Sequence, residues 1–194
     1  MIKTIAIAVA VLLVMGAAGV LAYAATRPDT FRVQRTIAIN APAETIFPFI
    51  NDLRAQSSWS PFEKDPAMKR THSGAAQGPG ATYEWDGNRE VGAGRIAIID
   101  ATAPTRVALA LDMTRPMAAH NQVEFTLHPQ GAATTVTWTM HGDQPYMAKV
   151  MSTFIDCDKM VGGMFEEGLA KLKALVETKV AAAPVQAPLA QAAR

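Results

Sequence analysis

Four histidines and one cysteine are the side chains of this 194-residue chain best suited to metal binding or nucleophilic attack. His72, His120, His128 and His141 fall on different predicted strands or their ends, and no H-E-x-x-H or other metal-ligand spacing joins them. No metal is expected. His120 and His141 flank strands and read as turn or solvent-facing residues, since a general base needs a carboxylate or substrate partner beside it. Cys157 lies in an apolar helical stretch without a nearby histidine and reads as a small packed residue. A G-x-S-x-G elbow is missing, so nucleophilic catalysis has no signature. Gly78-Pro79-Gly80 and Gly92-Ala93-Gly94 do not join a strand to a helix, so they are turns rather than phosphate loops, and no cofactor is implied.

Aromatic and thioether side chains form the more informative set. Methionine fills irregular apolar space, and tyrosine or tryptophan adds a polar tip to an apolar wall. Trp59, Tyr83, Trp85, Leu109, Met113, Phe125, Trp138, Met140, Met151 and Phe154 are the candidate wall of a hydrophobic pocket, with Phe62, Tyr146, Met147 and Met160 of the same chemical type. Core packing is the competing explanation for each of them. Glu84, Glu90, Arg95, Asp112 and Glu124 lie on or near strands, from which an Arg–Glu pair would orient a ligand's polar head or would simply face solvent. Asp156 and Asp158 read either as acids at the pocket mouth or as favourable charge at a helix start.

The elements that must position these residues follow from the hydrophobic pattern. Residues 5–25 (IAIAVAVLLVMGAAGVLAYAA) carry no charge, enough for a single helix across a bilayer. A signal peptide is the alternative, with Lys3 in front and Ala22-Tyr23-Ala24 as a small-x-small cleavage site, but the apolar run is long for one. Residues 1–26 are therefore expected to be an anchor or a signal sequence. The signal-like start favours a folded domain outside the cytoplasm, whereas Arg27, Arg32 and Arg35 just after the run do not.

Phe31 to Asn40 alternates as a first strand, and Ile46, Phe49, Ile50 and Leu53 mark a helix interrupted near Pro48. Met68–Ser73, Ala81–Asp86, Gly94–Ile99, Thr105–Met113, Ala119–Leu127 and Thr134–His141 then form an antiparallel meander with one covered face. A helical period runs from Pro145 to about Lys179, with a bend expected at Gly162-Gly163. Residues 29–179 make one α+β domain, and 180–194 are an Ala/Pro-rich tail expected to be disordered. A curved sheet cannot close completely around one helix, so the gap is the natural place for an apolar cavity. With 18 Lys+Arg against 17 Asp+Glu, no basic surface for nucleic acid is expected.

FRVQRTIAINAPAETIFPFINDLRAQSSWSPFEKDP, GPGATYEWDGNREVGAGRIAI, TTVTWTMHGD and CDKMVGGMFEEGLAKLKAL together resemble the SRPBCC superfamily over about Phe31 to Val176. That superfamily includes START lipid-transfer domains, birch-pollen-allergen-like proteins and the polyketide cyclase/dehydrase group. Bacterial members of the polyketide cyclase type with one amino-terminal transmembrane segment are the most similar. The shared motifs are the Trp59-Ser60-Pro61 turn, Tyr83-x-Trp85, and Gly162-Gly163 before Phe165-Glu166. The resemblance implies a helix-grip fold of six or seven strands whose long carboxy-terminal helix closes a hydrophobic cavity. It names no catalytic residues here. The expected function is a membrane-anchored domain binding a hydrophobic small molecule or lipid. A cyclase/dehydrase-type enzyme acting on an apolar ketide-like substrate and a protein-interaction module are the alternatives.

Overall fold

Alternating apolar residues and helical periods sort the chain into one sheet and five helices in the computed structural model, which describes residues 2–182. Helix α1 (Ile2–Ala25) precedes strand β1 (Thr30–Ile39), which leads into α2 (Ala43–Asn51) and α3 (Leu53–Gln56). Six strands follow: β2 (Lys69–Gly74), β3 (Ala81–Asp86), β4 (Ala93–Thr102), β5 (Arg106–Arg115), β6 (Ala119–Gln130) and β7 (Ala133–Asp143). Helices α4 (Tyr146–Ser152) and α5 (Cys157–Ala182) complete the fold. The sheet is antiparallel throughout in the order β1-β7-β6-β5-β4-β3-β2, so β1 and β2 are its edges. The expected tail falls mainly on residues 183–194, outside those described.

Only one face of the sheet is apolar, and it is the face the helices cover. Val107 and Leu109 on β5, Val123, Phe125 and Leu127 on β6, and Val136 and Trp138 on β7 are all buried against Ile46 and Ile50 of α2 and Phe165, Leu169, Leu172 and Val176 of α5. The α5 set recurs every three or four residues, as one buried helix face requires. On the opposite face Arg106 bridges Glu124 (2.6 Å) and Asp100 (2.5 Å), and Arg95 lies 3.7 Å from Glu84. The expected interruption near Pro48 comes at Asp52, whose carboxylate accepts from the backbone N–H of Arg54 (2.8 Å) and starts α3.

Helix α5 is fastened along the β1 edge by three polar contacts. The Arg35 guanidinium, where a polar residue interrupts the β1 apolar face, donates to Glu166 (2.7 Å) and to both Asp158 carboxylate oxygens (3.0 and 3.1 Å). Further along, Lys173 donates to the Ala38 carbonyl (2.8 Å), and the Asn40 N–H donates to Glu177 (2.7 Å). The charge-assisted bonds to Arg35 hold the Asp158 carboxyl below its usual range.

Two expectations about this region are corrected. Gly162-Gly163 does not bend the helix, because the break falls at Thr153–Asp156, ahead of α5. A Cβ on Gly162 would lie 1.9 Å from Nη2 of Arg35, so this glycine makes room for the guanidinium; at Gly163 there is open space. Cys157 is exposed at the first turn of α5 rather than packed. Of the two acids, Asp156 caps the helix by accepting from the Lys159 N–H (3.0 Å), and Asp158 belongs to the Arg35 clasp instead of a pocket mouth.

Helix α1 stands apart from this packing. Of its 24 residues only Ala24 is buried, and with an 18-residue stretch of mean hydropathy 2.7 it is long and apolar enough to cross a membrane.

The neighbouring glycines should respond oppositely to alanine. Gly163→Ala should stabilise the protein by about 0.4–1 kcal/mol through helix propensity and a less free unfolded chain, while Gly162→Ala should lower Tm by displacing Arg35 from Asp158. Thermal unfolding of both variants checks this, and equal gains would mean that Arg35 does not occupy that space. The clasp should also titrate. Because Asp158 is more acidic when folded, its contribution is complete above the ordinary carboxylate pKa of about 4 and is lost as pH falls through the depressed folded value. The stability gap between wild type and Asp158→Asn should therefore be present at pH 7 and shrink on acidification below about pH 4, as denaturant melts across pH will read.

Candidate functional site

The covered face of the sheet is filled unevenly, and this sets the position of the site. Toward the β1 carboxy-terminal end, Ile39, Ile98, Val107, Leu127 and Val136 are packed to zero or near-zero exposure beneath α2. From the middle of the sheet to the opposite rim, a cavity of about 270 Å³ remains between β3–β7, α3 with the turn after it, and Met164 and Phe165 of α5.

Of the ten wall candidates, Trp59, Tyr83, Trp85, Met113, Phe125, Trp138 and Met140 line this cavity, together with Phe62. Four aromatics form its back wall. Trp138 stacks on Phe165 at 4.1 Å between ring centres, and Trp59 meets Trp138 (5.6 Å) and Phe125 (5.9 Å) edge-on. The Trp59 indole is oriented by donating to the Phe49 carbonyl (3.0 Å). Close helix approach depends on Gly168, where a Cβ would lie 2.8 Å from Pro61 and 2.9 Å from Trp138. At the other side His72, Tyr83 and Trp85 stack in series, with ring centres 4.7 and 6.0 Å apart. Gly94 opposite Trp85 leaves room for that ring, since a Cβ there would come within 2.8 Å of it.

Three wall candidates lie elsewhere. Leu109 is fully buried in the filled half of the sheet and belongs to the core. Met151 (43% exposed) and Phe154 (73% exposed) point to solvent, because the chain breaks after α4 and the methionine spacing from 147 to 160 spans two helices rather than one. Met147, Tyr146 and Met160 are exposed with them. Strand parity puts Glu84, Arg95, Asp112 and Glu124 on the outer face, where Asp112 sits 2.7 Å from His120. Glu90 alone of that set reaches the cavity lining. His120, His128 and His141 are not among the lining residues. Among the described residues no three His, Cys, Asp or Glu side chains are grouped to hold a metal ion.

A further polar feature of the cavity lining is not singled out by the sequence. Glu63, three residues beyond the Trp59-Ser60 turn, receives the Tyr83 hydroxyl on one carboxylate oxygen (2.7 Å) and the Arg70 Nε–H on the other (2.8 Å). Its side chain is only 15% exposed. Burial and the hydrogen bond to Glu63 push the Tyr83 phenol well above its ordinary pKa, so it stays protonated and donating at neutral pH. Burial lowers the pKa of His72, stacked behind Tyr83, which favours its neutral form. A carboxylate compensated by guanidinium and phenol retains free lone pairs and is well placed to accept a hydrogen bond from a hydroxyl or amide inside a mostly apolar space. The only sequence signal was a lone acid within an aromatic turn.

Comparison with solved structures supports the fold. Protein CV1439 from Chromobacterium violaceum superposes with a TM-score of 0.54 at 16% identity, covering 78% of this chain and 99% of that one. DynU16, described as a protein of the dynemicin biosynthetic locus, gives 0.54 at 17% identity over 79% of this chain and 49% of its own. The Aha1 dimer from Colwellia psychrerythraea gives 0.50 at 18% identity over 76% and 96%. No match is found among curated proteins. At such identities the likeness shows the helix-grip fold alone. Residues 30–177, however, match the family model described as polyketide cyclase / dehydrase and lipid transport, and by that match over most of its length the chain belongs to this family.

Proposed function

We propose that this protein binds a compact hydrophobic molecule bearing one hydrogen-bond donor, and that α1 anchors it to a membrane with the folded domain outside the cytoplasm. The aromatic cavity with a single compensated carboxylate carries the reading. Apolar burial at about 25 cal/mol per Å² supplies the affinity, and Glu63 supplies orientation. A volume of about 270 Å³ lies at the small end for ligand sites and favours one ring system or a short chain over a two-chain lipid. The exposed length of α1, uncharged after Lys3, supports the anchor.

A second reading has one observation in its favour. Glu63 and Tyr83 are titratable groups in direct contact inside the cavity, an arrangement from which a cyclase or dehydrase could move a proton on a bound ketide-like substrate. Both Glu63 oxygens already accept hydrogen bonds, from Tyr83 and from Arg70, and this engagement favours orienting a ligand over abstracting a proton.

Trp59, Trp85 and Trp138 all line the cavity, so their fluorescence reports occupancy. Titration of the full chain in detergent should show 1-naphthol binding more tightly than naphthalene by about tenfold, the worth of a hydrogen bond to a charged group. Glu63→Gln should shrink that preference and leave naphthalene affinity within about twofold; Tyr83→Phe should retain part of it. Equal affinity of the wild type for both probes would remove Glu63 from ligand recognition, and no response to either would sink the binding proposal. Conversion of an offered aromatic polyketide that Glu63→Gln abolishes while still binding it would favour the enzyme.

A further inference from the structure

Helix α4 is inverted relative to an ordinary surface helix. Its one charged side chain, Lys149, is turned inward at 6% exposure and pairs with Asp29 at 2.5 Å. Its other hydrophilic side chain, Ser152, is bonded to Gln144 and to the Lys149 carbonyl. Outward it presents Tyr146 (44% exposed), Met147 (67%) and Met151 (43%), and the chain continues with Phe154 (73%), Ile155 (45%) and Met160 (55%). Six large apolar side chains exposed within fifteen residues form the sort of patch that soluble surfaces avoid.

The position of α4 specifies what covers it. The Tyr146 hydroxyl donates to the carbonyl of Leu21 (2.9 Å), four residues before the end of α1, and the Gln144 N–H donates to the Asp29 carbonyl (2.7 Å) in the link between α1 and β1. Helix α4 thus lies beside the last turn of α1, roughly 6 Å along its axis from the end. Where α1 enters a bilayer, that depth is the boundary between acyl chains and head groups, the level at which tyrosines and the apolar faces of interfacial helices settle. Tyr23 contributes a second ring at this level, with Arg27 donating to its hydroxyl (3.3 Å) as a cation at the water side. Through Tyr146 the patch adjoins the end of α1.

We infer that α4 and the turn after it form a second membrane contact that seats the domain on the same bilayer α1 crosses, with the rim of the ligand cavity turned toward the lipid. The last clause follows from strand register. Thr30 pairs with Asp143, Asn121 with Gly142, and Met113 with both Ala119 and Gly94, so the start of β1, the end of β7 and the cavity side of β4–β6 share one rim of the sheet. Met164 of the cavity wall lies one helical turn beyond Met160 of the patch. The ligand then exchanges between cavity and bilayer without crossing water. This inference rests on α1 being a membrane anchor, and the experiment separates the two.

Full-length protein carrying Cys157→Ser and one new cysteine is spin-labelled and reconstituted into phosphatidylcholine–phosphatidylglycerol vesicles. The label sites are Val11→Cys in α1, Phe154→Cys in the patch, and Ala132→Cys in the β6–β7 hairpin at the far end of the sheet. Collision with oxygen against a water-soluble nickel complex then reads depth. The expected result is a deep label at 11, a label at head-group depth at 154, and a water-exposed label at 132. A deep label at 11 with a water-exposed label at 154 overturns the second contact and leaves the anchor standing. A water-exposed label at 11 overturns the anchor and the docking together. Spin–spin broadening at 154, shielded from both reagents, assigns the patch to a second copy of this chain and overturns the proposal.

Discussion

The Arg35 clasp decides where the long helix lies, and most of the architecture follows from that placement. A seven-stranded sheet at about 4.8 Å per strand spacing is close to 29 Å wide, whereas one helix with its side chains is about 10 Å across. Wherever α5 is fixed, part of the apolar face stays uncovered by it. Arg35, Lys173 and Glu177 fix it along the β1 edge, and α2 fills one end of what remains. The space left lies over β3 to β7 at the other end, and that space is the cavity. Lys173 and Glu177 also engage backbone groups on the edge strand and just after it, at Ala38 and Asn40, which would otherwise be open to pairing with another chain.

Glycine placement is the counterpart of this arrangement. At Gly162 the helix backbone gives way to a guanidinium, at Gly168 to Pro61 and Trp138, and at Gly94 the strand gives way to Trp85. In each case a large side chain occupies the volume a Cβ would have taken. The aromatic walls are thereby drawn close to the helix and the sheet, and their ring faces are held in fixed orientations around the cavity instead of packing into it.

Much of the fold was legible because the sheet is one-sided. Alternation along β5, β6 and β7 locates each strand to within a few residues, and aromatic type marks Trp59, Tyr83 and Trp85, which the structure places in the cavity lining. The misreadings share a cause: periodicity reports which residues lie on one face, without reporting where an element ends in space. The helical period carried through Thr153–Asp156 although the chain breaks there, so Met151 and Phe154 joined a wall that α4 does not face. Leu109 shares the inward face of β5 with Leu111 and Met113 but lies toward the filled half of the sheet. Sequence alone counts Arg35 only as a positive charge after the apolar run and passes over Glu63, because only a partner distant in sequence, Asp158 or Tyr83, gives each its role.

A void of this size has an energetic consequence. Empty and sealed, cavities in packed cores cost about 24 cal/mol per Å³, which for a volume of this order comes to several kcal/mol, a large part of the 5–15 kcal/mol that holds an ordinary domain together. An open mouth and the adaptable thioethers of Met113, Met140 and Met164 reduce that cost without removing it. Core residues of the right size were within reach of the sequence, since the other half of the same sheet is filled with isoleucine, valine and leucine to near-zero exposure. The unfilled half is also the half that holds a carboxylate with free lone pairs, stacked aromatics, and the end of the sheet next to α1. Space, polarity and position coincide there, which is the combination that the proposed binding of a hydrogen-bond donor would use.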